Sequence, residues 1–330
     1  MTGCRITCVK LDMTPPVISP LIHTGSPRPF WSVMIPVFRP KERYLRKAIE
    51  SVLCQQNDPG RFQVQVVDDC SPDCDVQALV QSIAGDTVAY YRTSRNLGLA
   101  GAWNTCIERA RGEWVHILHQ DDYVLPGFYN KLEETIGAHP DVALVATRSF
   151  FVDEEDVIVG VTRRVKELEH GSRAVEHFFY GTPLQCPAVA VCRRAYETHG
   201  GFVEELRYLL DVEMWARLVG AAGGLLTSEV LACYRRHGDS ETAYLLRTGI
   251  TFQDYERLHQ LFAHRYREFD ARKAASLRCS LAWSRGVTYK EKGQMSAAKA
   301  CFDYWRKNAP LKERFFKQAS AMLRGRQGHV

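Results

Sequence analysis

The first half of the chain alternates short apolar runs with longer segments in which apolar residues recur every three or four positions. The short runs are typical of buried β-strands and the periodic segments of amphipathic helices. This pattern predicts strands at residues 31–38, 62–67, 88–91 and 114–118, and helices at residues 44–55, 75–84 and 99–111. Such alternation builds a mainly parallel sheet with helices on both faces. We therefore predict an α/β fold with a doubly wound sheet.

The second half of the chain continues the sheet and then becomes helical. Strands are predicted at residues 144–147, 157–161, 187–192 and 225–234, with a helix at residues 208–219 before the last of them. Residues 1–29 are rich in proline and lack periodicity, which predicts an irregular tail. We expect a sheet domain at residues 30–242 and an α-helical C-terminal region at residues 243–330.

One stretch of the C-terminal region has the residue spacing of a tetratricopeptide unit, a helical hairpin in which small residues pack against aromatic ones. The matching residues are Trp283, Gly286, Tyr289, Gly293, Ala298, Phe302 and Pro310. A stable array needs about three copies, and one is visible. We expect a single hairpin, which either packs on the sheet domain or docks a protein partner.

Composition and charge limit the classes of protein to which the chain can belong. Its 11 cysteines are scattered without zinc-ligand spacing, as expected for reduced thiols. No apolar run is long enough for a membrane span or a signal peptide, so a cytoplasmic protein is expected. The net charge of +5 is uneven, because residues 241–330 carry 18 Lys and Arg against 8 Asp and Glu. That basic surface is either simply solvated or faces anionic lipid headgroups, and nucleic acid is not expected as a partner.

Polar residues collect where the predicted strands end. Residues 36–39, 68–69, 95–96 and 121–122 each follow a strand and precede a helix. The carboxyl ends of parallel strands form the edge at which such sheets bind ligands, so these residues should share one crevice. The sequence lacks the glycine-rich dinucleotide motif and the P-loop. A bound nucleotide would therefore be held by acids and a metal.

Asp121 and Asp122 are the most informative of these residues. They follow the buried run 114–118 directly. Two adjacent carboxylates at a strand end suit a hard divalent cation, Mg²⁺ or Mn²⁺, that bridges to a diphosphate. The alternative is a solvated loop with two ordinary surface acids.

Six segments between residues 31 and 242, taken together, resemble the family 2 glycosyltransferases, which have the GT-A fold. In chain order they are residues 31–39 (the first strand), 66–71 (VVDDCS, the nucleotide-base motif), 95–104 (a loop and helix), 119–127 (HQDDYVLPG, the metal motif), 208–218 (the catalytic-base helix) and 234–237 (YRRH, the closing element). The resemblance implies a GT-A domain with a nucleotide-binding half at residues 30–125 and an acceptor half at residues 126–242.

The resemblance also implies a reaction and its residues. The family transfers a sugar from a nucleoside diphosphate sugar, here expected to be a UDP- or dTDP-sugar, to an acceptor hydroxyl with inversion. A divalent metal neutralises the leaving diphosphate, and a carboxylate takes the proton of the hydroxyl. Asp122 is expected to be the principal metal ligand, and His237 a further ligand or a diphosphate contact. Asp121 should touch ribose or sugar, and Asp211 should be the catalytic base, with Glu213 in reserve.

Two of these assignments have simple alternatives, and the motifs contain departures. His237 is otherwise a surface loop histidine, and Asp211 is otherwise an acid favoured by the dipole at a helix N-terminus. The departures are Leu210 in place of the first acid of the family's Glu-Asp pair, Arg39 in place of a small polar residue, Cys70 in place of a turn glycine and His119 in place of the first acid of the metal motif.

Nucleotide recognition is assigned by the same resemblance. Asp69, beside Asp68, is expected to accept a hydrogen bond from the ring N–H of uracil or thymine. Asn96 is expected to fix its loop through local hydrogen bonds. The remaining expected contacts to base or phosphates are Pro36, Val37, Phe38, Arg39 and Arg95.

The acceptor is expected to be a glycan or a lipid-linked glycan in cell-surface polysaccharide synthesis. Such an acceptor would bring the protein to the inner face of the membrane as a peripheral protein. Gly200-Gly201-Phe202 either borders the acceptor site or ends a helix. Two other functions compete. A nucleotidyltransferase would need a glycine-rich basic loop after the first strand, which is missing, and a non-catalytic nucleotide-sugar-binding module would use the helical tail to dock a partner.

Overall fold

The computed structural model describes residues 13–22, 27–165 and 172–311. The chain divides into two compact units, and the division falls between His237 and Gly238. The first unit contains the sheet, and the second is helical. The division of the sheet domain into a nucleotide-binding and an acceptor half stays a prediction.

The described part of the first unit contains one nine-stranded sheet. Its strands are β1 (Trp31–Val37), β2 (Phe62–Asp68), β3 (Ala89–Arg92), β4 (Trp114–Ile117), β5 (Tyr123–Val124), β6 (Leu144–Val152), β7 (Ile158–Val161), β8 (Val189–Cys192) and β9 (Gly224–Arg235). They lie in the order β3-β2-β1-β4-β8-β6-β9-β5, and β7 pairs with β6. The neighbours β3, β2, β1 and β4 pair in parallel, and so do β6 and β9. The other neighbouring strands pair antiparallel. The predicted α/β sheet is confirmed, and antiparallel strands extend its second half.

Helices accompany the strands in the first unit and make up the second. In the first unit they are α1 (Glu42–Leu53), α2 (Val76–Ala84), α3 (Gly98–Arg109), α4 (Phe128–Ala138), α5 (Ser172–Glu176), α6 (Arg193–His199) and α7 (Leu210–Ala222). In the second unit they are α8 (Glu241–Thr248), α9 (Ile250–Arg265), α10 (Ala271–Glu291) and α11 (Met295–Asn308). The helices predicted in the sheet domain and the helical C-terminal region are confirmed, whereas α4 and α5 were missed.

Apolar side chains fix the strands whose ends carry the polar residues. Every residue of β1 and β4 is buried, as central strands covered on both faces require. One core cluster joins β1 to α1 and α4 through Val33, Leu45 and Leu132, all fully buried. Full burial of a side chain of this size contributes about 1.5–3 kcal/mol. The carboxyl ends of the central strands are thus held on a rigid base.

Residues 13–22 form neither helix nor strand, yet they pack on the first unit. Ile18 is buried, and Pro16 O accepts a hydrogen bond from Gly201 N at 2.8 Å. A Cβ on Gly200 would lie 2.8 Å from Pro15 Cβ, so glycine permits this close approach. Gly200 also ends α6 with a φ of 84°. The expected helix-ending turn is therefore confirmed, and the segment that approaches it is the chain's own.

The second unit contains a helical hairpin formed by α10 and α11. A Cβ on Gly286 would lie 2.7 Å from the Phe302 ring, and the Trp283 ring lies 4.6 Å from that of Trp305. The small-on-aromatic packing that the sequence predicts is present here. The tetratricopeptide resemblance and a docking role stay predictions. Among the described helices, none combines the length and apolar character that a bilayer span requires.

Candidate active site

The acid pair lies in a loop after β4 that is tied to β1 and to β9. The side-chain amide of Gln120 accepts a hydrogen bond from Phe38 N at 2.9 Å and donates one to Phe38 O at 3.2 Å. Asp122 is 1% exposed, and its Oδ1 accepts from Arg235 N at 2.8 Å. Its Oδ2 accepts no hydrogen bond from any described residue. Burial, with the Asp121 charge adding to it, raises the pKa of Asp122. Asp122 is therefore not a solvated surface acid.

Asp121 lies beside Asp122 and bonds to His237. Asp121 Oδ2 and His237 Nε2 are 2.8 Å apart. Burial opposes ionisation of Asp121, but the hydrogen bond with His237 and the charges of His119 and His237 together outweigh it and hold the pKa of Asp121 below its usual value. The His237 ring also lies against Tyr44, with centroids 5.5 Å apart. The structure thus brings His237 to the acid pair, in contact with Asp121.

Arg235 ties the end of β9 to the acid loop, a role that the sequence analysis missed. Its side chain is 1% exposed, and Nη2 donates to Asp156 Oδ1 at 2.6 Å. Nε donates to Asp121 O at 2.9 Å, and the guanidinium lies 4.4 Å from the centre of the Tyr44 ring. The sequence offered one signal, a basic residue at the end of an apolar strand. Its partners come from distant segments, so the sequence does not show them.

His119 joins the site, although the sequence analysis treated it as a departure from the metal motif. Its imidazole stacks on Trp103, with ring centroids 4.8 Å apart and 28° between the planes. His119 Nδ1 lies 3.5 Å from Asp122 Oδ2. Burial opposes protonation of His119, but Asp122, Asp121 and Asp211 outweigh it and raise the pKa of the imidazole. The supporting Trp103 belongs to α3, so spacing within the motif gave no indication of it.

This group offers ligands for a divalent cation. Ligand atoms of His119, Asp121 and Asp122 lie within 4.8 Å of one another. Metal–ligand bonds of about 2.1 Å place neighbouring ligands of one octahedral ion about 3 Å apart and opposite ones about 4 Å apart, so the side chains would draw together slightly around an ion. The buried Asp122 Oδ2, which lacks a donor among the described residues, is the kind of acceptor that a cation satisfies.

Asp211, the predicted catalytic base, lies in the first turn of α7. Its Oδ1 accepts from Val212 N at 2.7 Å, and its Oδ2 lies 3.7 Å from Cys186 Sγ, a thiol that sequence reasoning did not connect with it. Burial raises the pKa of Asp211 to about 6, against the hydrogen bond from Val212 and the charge of His119. A carboxylate with a pKa near neutrality is well matched to general-base catalysis. The helix-terminal position named as the alternative is found, and the role of Asp211 as catalytic base stays a prediction.

Glu213, the reserve candidate for the base, has a structural role. Its side chain is 1% exposed and lies 2.8 Å from Arg217 Nη2. Arg217 Nη2 also donates to Gly201 O at 2.9 Å. This ion pair anchors α7 to the turn after α6. A carboxylate engaged in this way is a poor proton acceptor for a substrate.

Asp69 and Asp68, at the end of β2, organise the neighbouring loops. Asp69 Oδ1 accepts from Leu97 N at 2.8 Å, and Oδ2 accepts from Gly98 N at 3.0 Å, so Asp69 caps the start of α3. Asn96 Nδ2 donates to Asp69 O at 3.2 Å, which agrees with its expected local role. Asp68 is fully buried and pairs with Arg92 Nη1 at 2.5 Å. Asp68 is therefore structural. Asp69 is buried, and its Oδ1 also lies 3.2 Å from Thr93 Oγ1, so Oδ2 is the oxygen that offers a lone pair to a ligand.

The other predicted nucleotide contacts lie at the ends of β1 and β3. Pro36 and Val37 are buried within β1, whereas Phe38 is 40% exposed. Arg39 is exposed, with a φ of 49°, and its backbone N–H donates to Ser71 Oγ at 2.9 Å. Arg95 is exposed as well. Phe38, Arg39 and Arg95 are thus the accessible members of this set.

Comparison with known proteins places these features in a family. The model described as Glycosyl transferase family 2 matches residues 32–200, which hold the acid pair, Asp69 and Phe38. The chain belongs to glycosyl transferase family 2. It is therefore a glycosyltransferase, which removes the nucleotidyltransferase alternative. Asp211 and His237 lie beyond the matched residues.

Two curated relatives show how far the similarity extends along this glycosyltransferase. An uncharacterized protein of Mycobacterium tuberculosis (strain CDC 1551 / Oshkosh) is 27% identical over 261 residues, which cover 74% of this chain and 79% of that protein. The succinoglycan biosynthesis protein ExoO of Rhizobium meliloti (strain 1021) is 38% identical over 112 residues, which cover 34% of this chain and 29% of that protein. The chain thus matches less than a third of ExoO.

Two solved structures share the fold of this glycosyltransferase. The mannosyltransferase PcManGT from Pyrobaculum calidifontis, in complex with GDP-Man and Mn²⁺, has a TM-score of 0.56 at 17% identity, covering 94% of this chain and 83% of its own. TarS 1–349 of S. aureus, in complex with UDP-GlcNAc, has a TM-score of 0.54 at 14% identity, covering 84% and 91%. At these identities the likeness concerns the fold alone, and the predicted GT-A fold is confirmed.

Proposed function

We propose that this glycosyltransferase moves a sugar from a nucleoside diphosphate sugar to an acceptor hydroxyl in a single displacement with inversion. The observation that carries the proposal is that two groups of different chemistry act on each other electrostatically. His119, Asp121 and Asp122 fit a cation, and Asp211 is close enough to His119 to shift its pKa. A charge-neutralising site beside a carboxylate of near-neutral pKa meets the two needs of this reaction.

The metal-binding residues are assigned from the acid loop. Asp122 is the principal ligand of Mg²⁺ or Mn²⁺, because its buried Oδ2 lacks a donor among the described residues. Asp121 contacts the ribose or sugar of the donor, and His237 is held at the site through its 2.8 Å contact with Asp121. When bound, the ion neutralises charge that develops on the leaving diphosphate.

Asp211 is the general base of the proposed reaction. Its Oδ2 has the Cys186 thiol as a neighbour, at 3.7 Å. It takes the proton of the acceptor hydroxyl as the oxygen attacks the anomeric carbon. Because one displacement inverts that carbon, a single carboxylate at this position suffices.

Nucleotide recognition is proposed for the ends of β1, β2 and β3. Asp69 accepts the ring N–H of uracil or thymine through Oδ2, whose partner in the structure is Gly98 N, which makes a UDP- or dTDP-sugar the expected donor. Phe38 offers an exposed apolar face, and Arg39 and Arg95 offer positive charge to phosphates. The structural neighbours bind UDP-GlcNAc and GDP-Man, which supports a nucleoside diphosphate sugar as the donor without distinguishing its base.

The acceptor is proposed to be a glycan or lipid-linked glycan in polysaccharide biosynthesis. The relative ExoO is a succinoglycan biosynthesis protein, which supports this class of product. A lipid-linked acceptor would be reached from the cytoplasm, with the protein peripheral at the inner face of the membrane. The basic residues of 241–330 would then face the lipid, although residues 312–330 lie outside the described residues.

A donor-hydrolysis panel tests the proposed function. Purified full-length protein is incubated with UDP-, dTDP- and GDP-sugars, with and without Mn²⁺, and the released nucleoside diphosphate is measured. We expect release from a UDP- or dTDP-sugar that depends on the metal. Metal-dependent binding of UDP without turnover of any sugar donor would instead identify a non-catalytic module.

A further inference from the structure

Asp122 Oδ2 and the His119 imidazole face each other without forming a good hydrogen bond. Asp122 is 1% exposed, and its Oδ2 lacks a donor among the described residues. His119 Nδ1 lies 3.5 Å from that oxygen. This separation exceeds the 2.7–3.2 Å of ordinary N–H···O bonds. It lies between the spacings of about 3 Å for neighbouring and about 4 Å for opposite ligands of one octahedral ion, so one ion can reach both atoms.

We infer that His119 supplies the nitrogen ligand of the metal site, and that His237 instead orients Asp121. The inference rests on the proposed metal-assisted function and assigns a residue that the metal motif does not predict. Ligand atoms of His119, Asp121 and Asp122 lie within 4.8 Å of one another, a group that does not include His237. One imidazole and one or two carboxylates therefore hold the ion.

The Trp103 side chain fixes the orientation of the proposed ligand. Trp103 is 3% exposed, and its ring lies nearly parallel to that of His119, at 28°. Stacking on a buried ring restricts rotation of the imidazole about its side-chain bonds. Ligands held by their surroundings bind metal more tightly than mobile ones, because less motion is lost on binding.

His237 has a different partner in the structure. Its Nε2 lies 2.8 Å from Asp121 Oδ2, a charge-assisted distance. Its ring packs against Tyr44, which belongs to α1. A histidine bonded in this way holds the Asp121 carboxylate in position, so its removal should disturb Asp121 without removing a metal–nitrogen bond.

A nitrogen ligand changes which ion the site prefers. Mg²⁺ strongly prefers oxygen ligands and keeps several waters, whereas Mn²⁺, which also favours oxygen, lies in the first-row series whose affinity for nitrogen ligands exceeds that of Mg²⁺. The site should therefore bind Mn²⁺ in preference to Mg²⁺. Replacing His119 by aspartate would restore an all-oxygen set of ligands and should lower the Mn²⁺/Mg²⁺ affinity ratio about tenfold.

Pulsed electron paramagnetic resonance of bound Mn²⁺ tests the inference directly. Mn²⁺ is added to the full-length protein, with and without UDP, and modulation from a directly bonded ¹⁴N nucleus is recorded. Wild type and His237→Ala should show the nitrogen coupling. His119→Asp should bind Mn²⁺ without the coupling, and His119→Ala should lose both the coupling and most of the affinity.

The outcomes separate this inference from the proposed function. Coupling that persists in His119→Asp and disappears in His237→Ala would overturn the inference and leave a metal-assisted enzyme. Mn²⁺ bound to wild type without any ¹⁴N coupling would overturn it in the same way. Sugar transfer by a wild-type protein that binds no Mn²⁺ would overturn both the inference and the metal assignment.

Discussion

At the residue scale, Asp122 is a buried carboxylate that the fold leaves partly unsatisfied. One oxygen accepts from Arg235 N at 2.8 Å, and the other accepts no hydrogen bond from the described residues. Burying an ionised group without a partner costs folding free energy. The residue that binds the cation is therefore expected to destabilise the metal-free protein.

Asp122→Asn should stabilise the metal-free protein at pH 7, by about 1–3 kcal/mol. Burial raises the pKa of Asp122, so its contribution to stability is present at acid pH and is lost as the pH rises through the folded value. The gain in free energy of unfolding should therefore shrink at acid pH, where Asp122 of the wild type is protonated. Urea unfolding of wild type and Asp122→Asn, at pH 7 and at an acid pH, measures this gain. Destabilisation by Asn at pH 7 would show that the carboxylate is fully satisfied.

Asp211 gives the enzyme a predictable pH dependence. Its pKa is raised to about 6 by burial, and a general base must be ionised to act. Turnover should therefore fall as the pH is lowered through about 6. The Cys186 thiol stabilises the ionised form of Asp211, so Cys186→Ala should move the fall in turnover to higher pH. Cys186→Ser keeps a hydrogen-bond donor and should return the fall to the pH of the wild type. A profile flat from pH 7 to pH 5 would contradict the assignment.

Individual site residues could be predicted where the sequence places them at strand ends. Asp69, Asp122 and Asp211 follow or begin elements that the apolar pattern locates. His119 and Arg235 could not be predicted in the same way, because their roles depend on partners from other elements. Trp103, which belongs to α3, stacks on His119. Asp156, in the loop after β6, accepts a hydrogen bond from Arg235.

At the element scale, the turn after β2 shows a residue in an unusual backbone conformation. Cys70 has a φ of 58°, in the left-handed region that costs an ordinary residue about 1–2 kcal/mol. The family resemblance implies a glycine at this position, and Cys70→Gly should leave stability unchanged or raise it by up to about 1 kcal/mol. Cys74→Gly is a matched control in the same turn, since Cys74 lacks a positive φ. It should destabilise, and equal losses in both variants would contradict this account.

Elements with a strong apolar signal were predicted well, and those with weak signals were not. β1 and β4 are buried on both faces, which gives a continuous apolar run. α4 begins after Gly127, which has a φ of 89° and provides no side-chain cap, so the usual sequence marker of a helix start is missing. β5 has two residues and pairs with β9 from far along the chain. Such pairing is a tertiary contact that local pattern does not contain.

At the scale of the whole molecule, charge separates the helical C-terminal region from the rest of the chain. Residues 241–330 carry 18 basic against 8 acidic residues. The hydrophobic pattern predicted the α/β class and the helical C-terminal region, but no local sequence signal specifies the acceptor. The excess of basic residues at 241–330 is the feature through which a peripheral membrane role can be tested.

The full-length protein should bind vesicles that contain anionic phosphatidylglycerol and should not bind vesicles of neutral phosphatidylcholine. The attraction is electrostatic, so raising the salt from about 0.1 M to about 1 M, which shortens the screening length from about 10 Å to about 3 Å, should release it. Vesicle sedimentation measures the bound fraction. Binding that is indifferent to salt, or equal for both vesicles, would contradict the peripheral role.

The most direct test of the central claim compares UDP binding and sugar transfer in Asp211→Asn. Removing a general base should lower turnover of the donor by about 10²–10⁴-fold. Affinity for UDP with Mn²⁺, measured by calorimetry, should stay close to wild type, because the hydrogen-bond partners of the Asp211 carboxylate are Val212 N and the Cys186 thiol, which belong neither to the proposed nucleotide residues nor to the acid pair. Full turnover in Asp211→Asn, or loss of binding together with turnover, would contradict a catalytic base at this position.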